Sequence, residues 1–156
     1  MEKYPISRAG FDALVKELKD LKEVQRPEIL KTVQWARSLG DLSENADYSA
    51  AREKQRQIDK RIGFVENIIA NATVVDVDSL SGDRVVFGAR VVAEDEDGNK
   101  MQCRILSDIE ADGKMVISCT SPVGRAMIGR CVGDTCVVKL PSGEKEYEIL
   151  EVKFKE

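Results

Sequence analysis

Two long stretches of helical apolar spacing, separated by only a few polar residues, restrict this chain more than any other feature. In the first, Phe11, Leu14, Val15, Leu18, Leu21, Val24, Ile29, Leu30, Val33 and Ala36 recur mostly at steps of three and four, which places them on one face of a helix. Ser7 stands at its start, and Pro27 interrupts it, predicting a kink or a restart with Pro27 in the first turn. Leu39-Gly40 ends it, with Gly40 suited to a left-handed cap. The second helix is predicted to begin near Asp41–Glu44 and to run to about Asn71. Ile58, Ile62, Val65, Ile69 and Ala72 form a heptad seam in its later half, and Ala46, Ala50 and Ala51 allow close approach near the turn. So short a connection makes the two helices antiparallel neighbours. About 30 residues at 1.5 Å each give an arm of roughly 45 Å, with the turn expected at its solvated tip.

From Thr73 the period changes. Thr73–Val77, Val85–Val92, Met101–Leu106, Met115–Cys119, Asp134–Leu140 and Glu146–Val152 read as strands, with turn signals at Asp97-Gly98-Asn99 and Pro141-Ser142-Gly143. Ser121 through Gly129 reads as a short helix, capped by Ser121, with Pro122 in its first position and Gly129 closing it. The expected fold class is α+β, an antiparallel coiled-coil hairpin over residues 1–75 followed by a small antiparallel sheet domain with one short helix over 76–156.

Charge and composition narrow the function. Lys and Arg number 13 against 12 Asp and Glu in residues 1–73, and 11 against 16 in 74–156. An acidic chain of net charge −4 is not a classical DNA binder. No signal peptide or membrane-length apolar run is visible, so the expected location is cytoplasmic, with no membrane partner. Cys103, Cys119, Cys131 and Cys136 form no C-x-x-C pair and the chain has no histidine, which argues against structural zinc and for reduced thiols.

The connection between the helices, Gly40-Asp41-Leu42-Ser43-Glu44-Asn45-Ala46-Asp47-Tyr48, carries the chemistry. It resembles the turn motif of the Gre family of bacterial transcript-cleavage factors, as do Arg26-Pro27-Glu28-Ile29 before it and Ala50-Ala51-Arg52-Glu53 after it. Phe87-Gly88-Ala89, Ser121 to Ala126, Gly133-Asp134 and Pro141-Ser142-Gly143 extend the resemblance over essentially the whole chain. The resemblance implies that the second domain is FKBP-like and docks at the rim of the secondary channel of RNA polymerase. It implies that the coiled coil enters that channel when the polymerase has backtracked and extruded the 3′ end of the nascent RNA. The tip acids would then help to hold Mg²⁺ in the polymerase's own active site, so that the factor activates an endonuclease rather than being one. A monomer is expected.

Each residue has a structural reading beside this one. Asp41 and Glu44, spaced three apart at a helix start, match a capping box as well as a carboxylate pair for a shared metal. Ser43 and Asn45 would orient water or RNA, or simply solvate the turn. Asp47 would complement the helix dipole, and Tyr48 would stack on a base or pack on the facing helix. Arg37 and Arg52, with Arg56 and Lys54 nearby, would meet RNA phosphates or form a solvated face. Ser121 and Pro122 would touch polymerase or only start a helix. Trp35 is expected to pack. Competing functions are a channel-binding regulator without cleavage activity, for which the tip would have to lack its acids, a prolyl isomerase or chaperone, for which Phe87, Tyr147 and Phe154 are few aromatics, and a coiled-coil scaffold.

Overall fold

A computed structural model describes residues 4–41 and 43–154. The chain divides into two units, Phe11–Asn71 and, with the residues up to Gly10, Ala72 onward. The first unit is helical. Helix α1 (Arg8–Asp20) passes into a π-helical turn at Leu21–Gln25, then α2 (Arg26–Ser38) and the antiparallel α3 (Ala46–Asn71) follow. The π turn is the physical form of the expected kink. Pro27 offers no N–H and its ring collides with the carbonyl four residues back, so the helix widens just before it. The Arg26 N–H accordingly bonds to Leu21 O, five residues earlier.

Leu21, Ile29, Val33, Ala51, Ile58 and Ile62 form the buried seam, with Leu18 and Tyr48 against it. Val15, Val24 and Leu30, read in sequence as part of the same face, are exposed instead. The strict seam is narrower than the apolar content suggested. Arg61 grips Glu17 with two hydrogen bonds of 2.6 and 2.8 Å across the hairpin, and Lys22–Glu66 and Arg26–Asp59 add pairs at 3.0 and 3.4 Å. Exposed pairs of this kind contribute at most about 1 kcal/mol each, so they set register more than stability.

The second unit contains two sheets. Strand β1 (Tyr4–Ser7) pairs in parallel with β2 (Ala72–Val75), the intervening helices serving as the crossover that a parallel pair requires. Ser7 caps α1, its Oγ accepting from Gly10 N at 3.1 Å. Glu110 secures this corner, accepting from Ser7 N (3.3 Å), the Ser7 hydroxyl, Ser107 N (3.2 Å) and Ser107 Oγ (2.7 Å). Both serines are buried, so their polar groups must be satisfied within the protein, and Glu110 does so. A β-carbon at position 10 would overlap that carboxylate, which explains Gly10.

The main sheet has five strands: β3 (Arg90–Asp95), β4 (Lys100–Leu106), β5 (Val116–Ser118), β6 (Thr135–Leu140) and β7 (Gly143–Lys153), in the order β5-β4-β3-β7-β6. The α+β class of the sequence reading holds. The sheet is mixed rather than wholly antiparallel, because β5 runs parallel to β4. Short helix α4 (Pro122–Met127) puts Met127 into a core with Val85, Ala89, Val91, Cys103, Ile105 and Ile149. The predicted strand Val85–Val92 is regular only from Arg90. Gly88 at φ +92° turns the chain before it, and a β-carbon there would press on Val77. Val85 is buried through bonds to the loop after α4, its N–H donating to Arg130 O at 2.8 Å.

The four cysteines are free thiols, and burial pushes the Cys103 thiol up to about 11. Several carboxylates are held below their usual range: Asp108 by the Ser118 and Thr120 hydroxyls, Glu17 by Arg61, Asp112 by the Val116 and Lys114 N–H groups, and Asp95 by the Asn99 N–H. A carboxylate with a depressed folded pKa stabilises the fold above its unfolded value, about 4, and loses that contribution as pH falls through the folded value. The chain has no histidine. Urea midpoints measured against pH are therefore expected to be flat from about pH 5 to 8 and to fall only below about pH 4. A drop between pH 5 and 7 would contradict this assignment.

Candidate functional site: the acidic turn of the helical hairpin

The turn joining α2 to α3 is built from three local devices. Helix α2 closes with Leu39 N on Ala36 O at 3.2 Å and Gly40 N on Arg37 O at 3.3 Å, and Gly40 adopts φ +96°. This is the left-handed cap that its position suggested. Asp41 then forms an Asx turn, Oδ1 accepting from Ser43 N at 3.3 Å and from Ser43 Oγ at 2.8 Å. Leu42 lies outside the described residues. Asn45 finally starts α3: its Oδ1 accepts from Tyr48 N at 3.0 Å, three residues on, and its carbonyl receives the first helical bond from Ser49 N at 3.0 Å.

This overturns the capping-box reading of Asp41 and Glu44. Helix α3 begins at Ala46, four residues later than a box headed by Asp41 requires, and Asn45 holds the cap. The left-handed turn and the Asx turn consume the residues between. Asn45 does a second job that sequence reasoning missed. Its Nδ2 donates to Ala36 O at 2.7 Å, giving that carbonyl at the end of α2 a second donor beside the Leu39 N–H. One half-buried side chain thus ties the end of one helix to the start of the next. The signal was present, since an Asn immediately before Ala46-Asp47 is a strong cap, but the Asp-x-x-Glu pattern competed with it. Asn45→Ala removes two hydrogen bonds, one of them the cap, and is expected to destabilise the hairpin by about 2 kcal/mol. Faster hydrogen exchange at the Ala46–Ser49 amides would report it; unchanged exchange would refute the clasp.

Asp41, Ser43, Glu44 and Asp47 are exposed. Among the described residues no group of three acidic or sulfur ligands exists that could enclose a metal, so the turn offers at most a pair of carboxylates. These are hard oxygen donors of the type Mg²⁺ takes, too few to complete its shell, which leaves the remaining positions to water or to another macromolecule. Arg37 is exposed, with its guanidinium 5.9 Å from the centroid of Tyr48, while Tyr48 itself packs on the seam. The packing alternative for Tyr48 is thus realised, and its ring holds Arg37 beside the turn.

The other cations are less concentrated. Arg52 donates to Gln55 Oε1 at 2.6 Å, and Arg56 pairs with Glu53 at 2.7 Å. Arg56 stands eleven positions beyond Asn45, about 16 Å along the axis, so it does not share the turn. Lys54 lines a shallow depression with Glu28, Ile29 and Thr32. Trp35, expected to pack, is 55% exposed, as is Leu39 one turn later. With Val33 and Ala36 in the seam, position 35 lies about 100° from Ala36 and on the far side from Val33, which leaves it no slot.

In the second unit, Ser121 is the cap of α4, accepting from Gly124 N at 3.1 Å and donating to Ser118 O at 2.6 Å. Its hydroxyl is fully engaged in structure. Pro122 is exposed and lines a depression with Thr120, Arg125, Ala126, Val137 and Lys139, and it is the member of the predicted pair that presents a free surface.

Comparison with known proteins gives this turn its context. Residues 4–74 match the N-terminal domain of transcription elongation factors, and residues 80–154 match the GreA/GreB C-terminal domain. The chain belongs to the GreA/GreB family of transcription elongation factors. Over its full length it is 53% identical to transcription elongation factor GreA of Anaeromyxobacter sp. (strain K), covering 95% of that protein. It is 49% identical to GreA of Caulobacter vibrioides (strain NA1000 / CB15N), with 99% of each chain covered. Among solved structures, it is similar to the GreA factor homolog 1 protein of Thermus thermophilus at 27% identity, with 97% and 99% of the two chains covered and a TM-score of 0.46. No helix among the described residues is long and apolar enough to cross a membrane.

Proposed function

We propose that this elongation factor acts on backtracked bacterial RNA polymerase, entering the secondary channel with its hairpin turn and stimulating cleavage of the extruded 3′ end of the nascent RNA. The observation that carries this reading is the release of Asp41 and Glu44 from helix capping. Asn45 holds the cap, and both acids stand exposed at the turn, where the helix does not need them. Asp41 and Glu44 would hold Mg²⁺ jointly with polymerase carboxylates and an RNA phosphate. That ion, when bound, would supply activation of water and stabilisation of the leaving oxygen.

Ser43, already oriented by Asp41, and Asn45 beside it would position water or RNA. Arg37, held by Tyr48, would meet the extruded phosphate backbone, and Arg52 would do so further along the helix. Pro122, with Ser121 fixing the start of α4, would form part of the surface against the channel rim. Two exposed carboxylates bind Mg²⁺ weakly by themselves, so the free protein is expected to cleave no RNA and the nuclease to belong to the polymerase. The test adds the protein to stalled, backtracked elongation complexes carrying 3′-labelled RNA and Mg²⁺. Rapid release of short 3′ fragments supports the proposal. Binding without release would favour the alternative, a channel-bound regulator that does not stimulate cleavage.

A further inference from the structure

Helix α2 presents an apolar strip to solvent just before the acidic turn. Trp35 and Leu39, four residues apart and so on one face, are each 55% exposed. Tryptophan is on average a highly buried side chain, so one left more than half open near a helix end is unusual. Lys31 stands one turn behind Trp35 on the same face and is exposed. Between Glu28 and Asp41 the chain has two cations, Lys31 and Arg37, and no acidic residue, although the whole protein carries a net charge of −4. Neither cation has an ion pair among the described residues. The end of α2 is therefore a locally cationic stretch with an aromatic face in it.

Two apolar side chains make too small a patch for the apolar centre of a protein interface. An aromatic face beside cations that lack acidic partners is instead the composition of single-stranded nucleic-acid sites, where a base stacks on the ring and the backbone follows the charge. Distance agrees with this. Trp35 lies three residues before the end of α2, about 5 Å along the axis. That spans roughly one to two stacked nucleotides at about 3.4 Å each, so a strand with a phosphate at the turn brings a base to the ring.

We propose that Trp35 is a stacking platform for one base of the extruded RNA segment, with Leu39 widening the apolar surface and Lys31 meeting the adjoining phosphate. The inference deepens the role proposed for the acidic turn and rests on it. It adds a contact with a base to a hairpin whose acids and Arg37 address only metal and phosphate.

The test uses backtracked elongation complexes of bacterial RNA polymerase assembled on synthetic 3′-labelled RNA, with each extruded position in turn made abasic. Wild-type protein and Trp35→Ala are compared below saturation, with polymerase binding and hairpin hydrogen exchange measured alongside. On intact RNA, Trp35→Ala should slow 3′ fragment release by about tenfold, the scale of one lost base stack, and Trp35→Phe should keep most of the rate. At one abasic position the wild type should fall to the level of Trp35→Ala, while the variant loses nothing further there. Equal release by the wild type and a folded Trp35→Ala would overturn this inference alone. A deficit that persists at every abasic position would also overturn it, assigning Trp35 to the channel wall. No release by the wild type on intact RNA would overturn the proposed function and this inference together. Should the variants misfold, the wild type alone decides, since a rate indifferent to every abasic position would overturn the stack.

Discussion

Asp41→Ala/Glu44→Ala is expected to lower stimulation of transcript cleavage by about a hundredfold or more, the scale seen when a preorganised charge-stabilising group is removed from a reaction centre. The same variant should leave the hairpin nearly as stable as before. Neither acid caps α3, and Asp41 supports only Ser43, so the change amounts to a surface substitution worth about 0.5 kcal/mol or less. This separation of activity from stability is what distinguishes a metal-sharing pair from a capping box. A capping box would lose helix protection along with function. Asp41→Asn sharpens the test, because the amide oxygen can still accept from Ser43 while the charge is gone. It should keep the turn and lose most of the stimulation. Measurement of 3′ fragment release alongside polymerase binding and hairpin hydrogen exchange covers all three quantities. Full stimulation by the double variant would sink the proposed role of the turn.

The hairpin was legible because its signal is local and periodic. Ile58, Ile62 and Val65 alternate four and three, and all three are buried. Gly40 and Pro27 acted where their backbone chemistry required. The start of α3 was harder, because two cap signals five residues or fewer apart compete and only the three-dimensional course of the turn selects Asn45. Strand β1 escaped notice because Tyr4 finds its partner at Ala72, and a four-residue strand with so distant a partner has no local period to display. Val85 to Ala89 was misread for another reason. Burial and β-branching look alike in a strand and in an irregular buried segment, and the decisive fact is the left-handed Gly88 packed on Val77. For the site, residue types and spacing pointed to the turn itself. They did reveal Ser121 as the cap of α4, but not that Tyr48 carries Arg37 or that Trp35 faces solvent, since each of these depends on what lies opposite in space.

One substitution made at two glycines should move stability in opposite directions. Gly63 lies inside α3, and a β-carbon there would meet nothing within 4 Å. Gly63→Ala removes the entropy that glycine carries into a helix and should stabilise the hairpin by about 1 kcal/mol. Gly124 also lies in a helix, α4, and would gain from alanine's higher propensity in the same way. There, however, the new β-carbon would overlap the Ser118 carbonyl oxygen and sit 3.1 Å from Cys119 Cα, both of them backbone. Neither side can yield cheaply. Ser118 O receives the Ser121 N–H and hydroxyl that start α4, and moving α4 itself draws Met127 out of the core, where it is wholly buried. Overpacking against fixed atoms costs about 3 kcal/mol, which outweighs the propensity gain and leaves Gly124→Ala destabilising by about 2 kcal/mol. Hydrogen exchange read separately on hairpin and sheet amides would assign each effect to its unit. Because α4 also bears Pro122, the proposed polymerase contact, Gly124→Ala should weaken polymerase binding while leaving the acidic turn intact, the reverse of the pattern expected for Asp41→Asn.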